Sequence, residues 1–68
     1  MRIETADELD GLLSDPERVV QLRVDSPAGY FKVDLLAVYT DGRFETYRPA
    51  DDTYPTFKLG ECKVFEDN

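Results

Sequence analysis

Two adjacent carboxylates, Asp51 and Asp52, with Asp41 and Glu45 upstream of them, are the residues of this chain best suited to holding a divalent cation. Hard cations prefer oxygen ligands, so Asp51 and Asp52 with Asp41 or Glu45 would define a magnesium or calcium site, and Asp41, Asp51 and Asp52 a small metal-dependent enzyme. Their spacing is not that of an EF-hand loop, and neighbouring side chains diverge unless the backbone turns; the favoured reading is therefore a solvated polar loop without metal. Cys62 is the one candidate nucleophile of its kind. The chain has no histidine, which removes the commonest general base and the commonest zinc ligand together. Without a base to activate it, Cys62 on an alternating strand reads as a small buried residue. Ser14 and Ser26 fall beside a helix end and a turn, where hydroxyls bond backbone. There is no glycine-rich phosphate loop. A non-catalytic protein without a cofactor is expected.

The elements that would carry these residues follow from local pattern. Thr5-Ala6-Asp7-Glu8 has the form of a capping box. Ala6, Leu9, Leu12 and Leu13 then fall on one side of a helix, with Asp7, Glu8 and Asp10 on the other. Pro16 ends this amphipathic helix after two to three turns. From Arg18 to Asp25 the period changes to two, the mark of a half-buried strand. Ser26-Pro27-Ala28-Gly29 is a turn before a second strand, Tyr30 to Thr40. Asp41-Gly42 signals a type I′ hairpin into a third strand, Arg43 to Arg48. Residues 49–55 form a loop by their Pro and Asp content. Phe57 to Phe65 supplies a fourth strand, with Gly60 marking a bulge. Residues 1–4 are a candidate edge strand. The expected fold is a single α+β domain over residues 1–68, one N-terminal amphipathic helix packed on a four-stranded antiparallel meander.

Leu35-Leu36-Ala37-Val38 is apolar on both faces of its strand, yet a single short helix covers only one face of a sheet. Either the C-terminal strand or the 49–56 loop folds over the other face, or Leu36 and Val38 join Tyr30 and Tyr47 in an open apolar interface, for which a homodimer is the simplest use. Tyr54 is a further exposed anchor.

Composition narrows the function. In 68 residues, 41% apolar and 12% aromatic, the chain has enough core-forming side chains to fold rather than remain an acidic tail. A lone cysteine, no signal-peptide pattern and no long apolar stretch point to the cytoplasm, with no membrane partner. Acid outnumbers base 15 to 8, for a net charge of −7. The excess lies at the two ends: residues 1–17 carry six acids against Arg2, residues 50–68 five against Lys58 and Lys63, and the middle is balanced. Such a field attracts basic partners and repels phosphate backbones, so direct nucleic-acid binding through Arg23, Lys32, Arg43, Arg48 and the sheet tyrosines is disfavoured. Glu4, Asp7, Glu8, Asp10 and Asp15, with Asp51 and Asp52, form the expected acidic docking surface. Acids three apart on a helix rise by about 4.5 Å, of the same order as the phosphate spacing of a DNA strand.

In size, acidity and absence of histidine the chain resembles the loose class of nucleic-acid-mimicking inhibitors, many of them phage-encoded, that act on CRISPR, restriction and polymerase machinery. That resemblance is one of charge and size and rests on no motif. It implies an inhibitor or regulator that docks on a basic surface of a nucleic-acid-binding protein. The alternative is a salt-adapted or housekeeping homodimer whose acid serves only solvation.

Overall fold

The computed structural model describes residues 2–67. Six strands, β1 (Arg2–Ile3), β2 (Gln21–Ser26), β3 (Gly29–Val38), β4 (Arg43–Tyr47), β5 (Thr56–Lys58) and β6 (Lys63–Glu66), form one antiparallel sheet in the order β1-β6-β2-β3-β4-β5. One helix, α1 (Ala6–Gly11), continues into a 3₁₀ turn at Leu12–Ser14, and a second 3₁₀ turn at Leu59–Glu61 joins β5 to β6.

The four-stranded meander is therefore corrected on two points. The expected fourth strand, Phe57 to Phe65, is two strands: the 3₁₀ turn around Gly60 breaks it, so that β5 pairs with β4 while β6 returns to pair with β2 and β1. The shift in apolar register across Gly60 that suggests a bulge is instead the place where the chain changes partner. The candidate edge strand is present as β1 over Arg2–Ile3; Met1 lies outside the described residues. The helix is also shorter than its apolar pattern implies. Only six residues are α-helical, and Asp15, which precedes Pro16, is already extended.

β3 explains how so small a sheet encloses a core. Its first part, Gly29 to Asp34, pairs with β2, and its last part, Asp34 to Val38, pairs with β4, with only Asp34 shared. The two halves of the sheet thus meet at a corner. On a flat sheet Phe31 and Phe57 would lie more than about 20 Å apart, since seven positions of β3 separate Phe31 from the row containing Phe57; their ring centroids are 5.4 Å apart. The sheet is rolled onto itself, with Phe31, Phe57 and Phe44 in a line across the interior.

The same corner accounts for the apolar run in β3. The β3–β4 register shifts between Leu35 and Ala37, leaving Leu36 as the extra residue of a bulge. Leu35 and Val38 consequently both belong to the core side, although they are three positions apart. The core comprises Ile3, Leu9, Val20, Leu22, Val24, Val33, Leu35, Phe44 and Val64, bordered by Leu12, Leu13, Phe31, Val38, Phe57, Leu59 and Cys62. Thr46 is the one fully buried polar residue among the described residues, and its hydroxyl donates to the Pro55 carbonyl at 2.6 Å.

The hairpin between β3 and β4 differs from a type I′ turn. Asp41 keeps a negative φ and only Gly42, at +94°, is left-handed. The Gly42 N–H closes a turn on the Tyr39 carbonyl at 3.1 Å, and the Asp41 carboxylate accepts from the Arg43 N–H at 3.1 Å. This is the longer hairpin connection in which a turn is followed by one left-handed glycine.

Candidate functional site

The acids of the N-terminal segment are displayed by α1. Thr5 adopts an extended cap conformation, its hydroxyl accepts from the Glu8 N–H at 3.1 Å, and its carbonyl accepts from the Leu9 N–H at 3.1 Å. The Glu8 carboxylate accepts from the Thr5 hydroxyl at 3.1 Å rather than from the cap N–H. Asp7 and Glu8 in the first turn are further favoured by the helix dipole. Leu9 is the residue that fixes the helix to the core, and Leu12 and Leu13 extend the contact. Glu4, Asp7, Glu8 and Asp10 are all exposed. Asp15, also exposed, accepts from the Glu17 N–H at 3.0 Å in the turn that follows.

The ion pairs of the molecule lie away from this ridge. Four ion pairs occur among the described residues: Arg18–Glu66 at 2.8 Å, Arg23–Asp67 at 3.3 Å, Arg43–Asp41 at 2.8 Å and Arg48–Asp51 at 3.3 Å. None draws on Glu4 or on an acid of α1. The Asp41 carboxyl is held below its ordinary range, first by the Arg43 N–H and then by the Arg43 guanidinium.

Beside the ridge lies an aromatic residue. Ala6, Asp7 and Asp10 line a dimple of about 90 Å³ together with Val38, Tyr39 and Thr40. The Tyr39 hydroxyl donates to Glu45 at 2.7 Å, and the Arg43 guanidinium lies 5.3 Å from its ring centroid. In sequence Tyr39 is only one of several sheet tyrosines. Its neighbourhood with Asp7 and Asp10 arises because the β3–β4 hairpin reaches the helix, a long-range contact with no local signal.

Asp51 and Asp52 do not join the ridge. Asp51 accepts from the Thr53 hydroxyl at 2.6 Å and from Arg48, while Asp52 accepts from the Tyr47 hydroxyl at 2.8 Å. Asp52 has a φ of +56°, which places the two carboxylates on different partners within the loop. Asp41 faces Arg43, and Glu45 faces Tyr39. Among the described residues no three metal-ligating side chains come together.

The apolar residues are likewise dispersed. Tyr30, Leu36 and Tyr54 are 55%, 48% and 69% exposed. Tyr30 and Leu36 are six positions apart on β3, or about 20 Å along an extended strand. Val38 packs against the core, and Tyr47 is half-buried, its ring 5.1 Å from that of Tyr54. Tyr47 and Tyr54 thus brace the 48–54 loop with Asp52. The Asp52 carboxylate holds the Tyr47 phenol proton, raising its pKa from the ordinary 10.0. A raised phenol pKa adds stability that persists below pH 10 and disappears as the pH climbs past the folded value. In a spectrophotometric titration the Tyr47 step is expected above pH 10, and Asp52→Asn should bring it down. An unchanged step in that variant would remove the carboxylate as the cause.

Cys62 is half-buried, with its thiol donating to the Lys58 carbonyl at 3.3 Å. Burial and then the nearby Glu61 charge push its pKa upward from 9.0, so little thiolate exists at neutral pH.

No family model matches the chain, and comparison with curated proteins and with solved structures returned no match. No helix among the described residues is long and apolar enough to cross a membrane.

Proposed function

We propose that this protein is a non-catalytic cytoplasmic inhibitor or regulator that docks the α1 ridge on a basic surface of a nucleic-acid-handling protein, in the manner of phage anti-CRISPR, anti-restriction or polymerase-inhibiting proteins. The observation that carries the reading is the exposed run of acids on and beside α1. Four acids elsewhere, Asp41, Asp51, Glu66 and Asp67, are engaged by arginines, whereas Glu4, Asp7, Glu8 and Asp10 stand exposed within seven positions of one another without a cation among the described residues. Carboxylates at this spacing present charge to a groove built for phosphates. Charge alone steers encounter more than it holds a complex. Tyr39, beside Asp7 and Asp10, supplies an aromatic anchor at the same place. Asp51 and Asp52 contribute to the field rather than to contact, because their oxygens are engaged within the loop.

Affinity capture from a prokaryotic lysate, followed by competition of the captured protein against duplex DNA, tests this reading. The native chain should displace DNA in a salt-sensitive manner, and Asp7→Lys/Asp10→Lys should weaken displacement by at least about tenfold at 0.1 M salt. Asp25→Lys/Asp34→Lys makes the same change in net charge on the sheet and should leave displacement within about twofold, as expected of charges away from the contact. Equal losses in both double variants would reduce the effect to net charge and overturn the docking role of the ridge.

A further inference from the structure

β5 is an edge of the sheet, with β4 on one side only. Its register determines which backbone groups remain open. The Thr46 N–H donates to the Pro55 carbonyl at 3.1 Å and the Leu59 N–H to the Gly42 carbonyl at 2.9 Å. In an antiparallel ladder bonded pairs alternate, so Phe57 is the residue that bonds Phe44, and the N–H and C=O groups of Thr56 and Lys58 point away from β4. The Lys58 carbonyl takes the Cys62 thiol at 3.3 Å. The other three groups have no hydrogen-bond partner among the described residues.

Beside this edge runs a trough. One hollow of about 450 Å³ lies between β5 and the β2–β3 turn, with Pro27, Ala28, Phe57 and Cys62 in its lining. A second of about 430 Å³ adjoins it and shares Ser26, Pro27, Glu61 and Cys62. Arg43 and Lys58 border the first hollow, and Arg2 and Lys63 the second. Four of the chain's eight basic residues therefore border one trough, against Asp25 and Glu61 in its lining and Asp41, which pairs with Arg43 at 2.8 Å. In a protein of net charge −7 this is a local reversal of sign.

We propose that the trough binds an extended polypeptide segment of a partner protein, with alternating apolar and acidic side chains, as an added strand on β5. Thr56 and Lys58 would supply the main-chain hydrogen bonds, Phe57 and Cys62 would receive alternate apolar side chains, and Lys58 and Lys63 would face the acids. Strand addition draws affinity from the backbone and selectivity from alternate side chains, which matches the two features found together here. A second copy of the chain is the poorer occupant. Its net charge repels itself, and Pro55 and Lys58 at the ends of β5 are residues that discourage edge-to-edge pairing of like strands.

The test uses the full chain and two terminally blocked peptides, (Val-Glu)₄ and (Val-Lys)₄, followed by amide chemical shifts and hydrogen exchange. (Val-Glu)₄ should shift and protect the Thr56 and Lys58 amides, and (Val-Lys)₄ should not. Thr56→Pro removes an outward N–H that the β4 ladder does not use; it should weaken (Val-Glu)₄ binding by at least about fivefold, the equivalent of one net backbone hydrogen bond. Lys58→Glu should weaken it further. Should Thr56→Pro fail to fold, Lys58→Glu and the exchange protection decide the matter. Equal binding of both peptides, shifts confined to other strands, or no shift with either peptide would overturn the proposal. Shifts at Thr56 and Lys58 that grow with protein concentration in the absence of peptide would overturn it in favour of a second copy.

Discussion

Phe44→Ala should leave the chain without a cooperative unfolding transition at 25 °C. Phe44 is fully buried on β4, packed on Phe57 at a centroid distance of 5.7 Å, and Phe57 in turn meets Phe31 from the other half of the sheet. Truncating such a ring costs about 3–5 kcal/mol, the lost transfer energy plus the cavity left behind. A single core in a chain below 70 residues supplies little more than about 3–5 kcal/mol in total. The two quantities are comparable, so the variant should be unfolded or nearly so. Urea titration followed by circular dichroism would read this directly, and Phe44→Leu, which refills most of the space, should restore a transition at a lower midpoint. A Phe44→Ala transition within about 1 kcal/mol of the parent would mean that the rolled sheet does not depend on the aromatic line, against the usual cost of such a cavity.

Leu9→Ala should release the helix and, with it, the acidic ridge. Leu9 is the only fully buried residue of α1, and its truncation costs about 2–5 kcal/mol. A six-residue helix has no stability of its own in water, because nucleation is unfavourable and few bonds follow it. Once undocked, α1 should melt. The amides of the helix should then exchange far faster than those of β2 and β3, which keep their ladder. Displacement of DNA from a captured partner should fall together with the helix signal, although no acid has been removed. Loss of the helix without loss of displacement would show that the ridge acts as an unstructured acidic segment. Equal acceleration of helix and sheet exchange would mean that Leu9 supports the whole fold.

Local pattern carried some of this structure and not the rest. Thr5 and Pro16 bracket the helical segment because capping and proline sterics act within a few residues. The alternation at Leu22 and Val24 likewise reports a face that is buried in place. The strand count was not legible, because Phe57 to Phe65 reads as one apolar run whether it stays beside β4 or leaves it for β2. The decision between those is made by partners some 40 positions away, as in the pairing of Leu22 with Glu66. Leu36 shows the same limit. Its neighbours suggest a two-faced strand, whereas a bulge at the sheet corner lets Leu35 and Val38 share one face. The acids of α1 could be identified from their spacing. Their lack of cationic partners could not, since it depends on where Arg18, Arg23, Arg43 and Arg48 find carboxylates in three dimensions.

β6 lies between β1 and β2, so its four residues complete the pairing of the first two strands. A chain emerging from the ribosome has β2, β3 and β4 in hand early, yet Ile3 has no strand to close on, and Val24 only β3 on one side, until Val64 appears. Contacts of such wide sequence separation are slow to form, because loop closure precedes any gain. The pairing of β1 consequently waits on β6, whichever other strands have already formed. Until β6 pairs, the edges of β1 and β2 that it covers are exposed to whatever the cell provides to shield them.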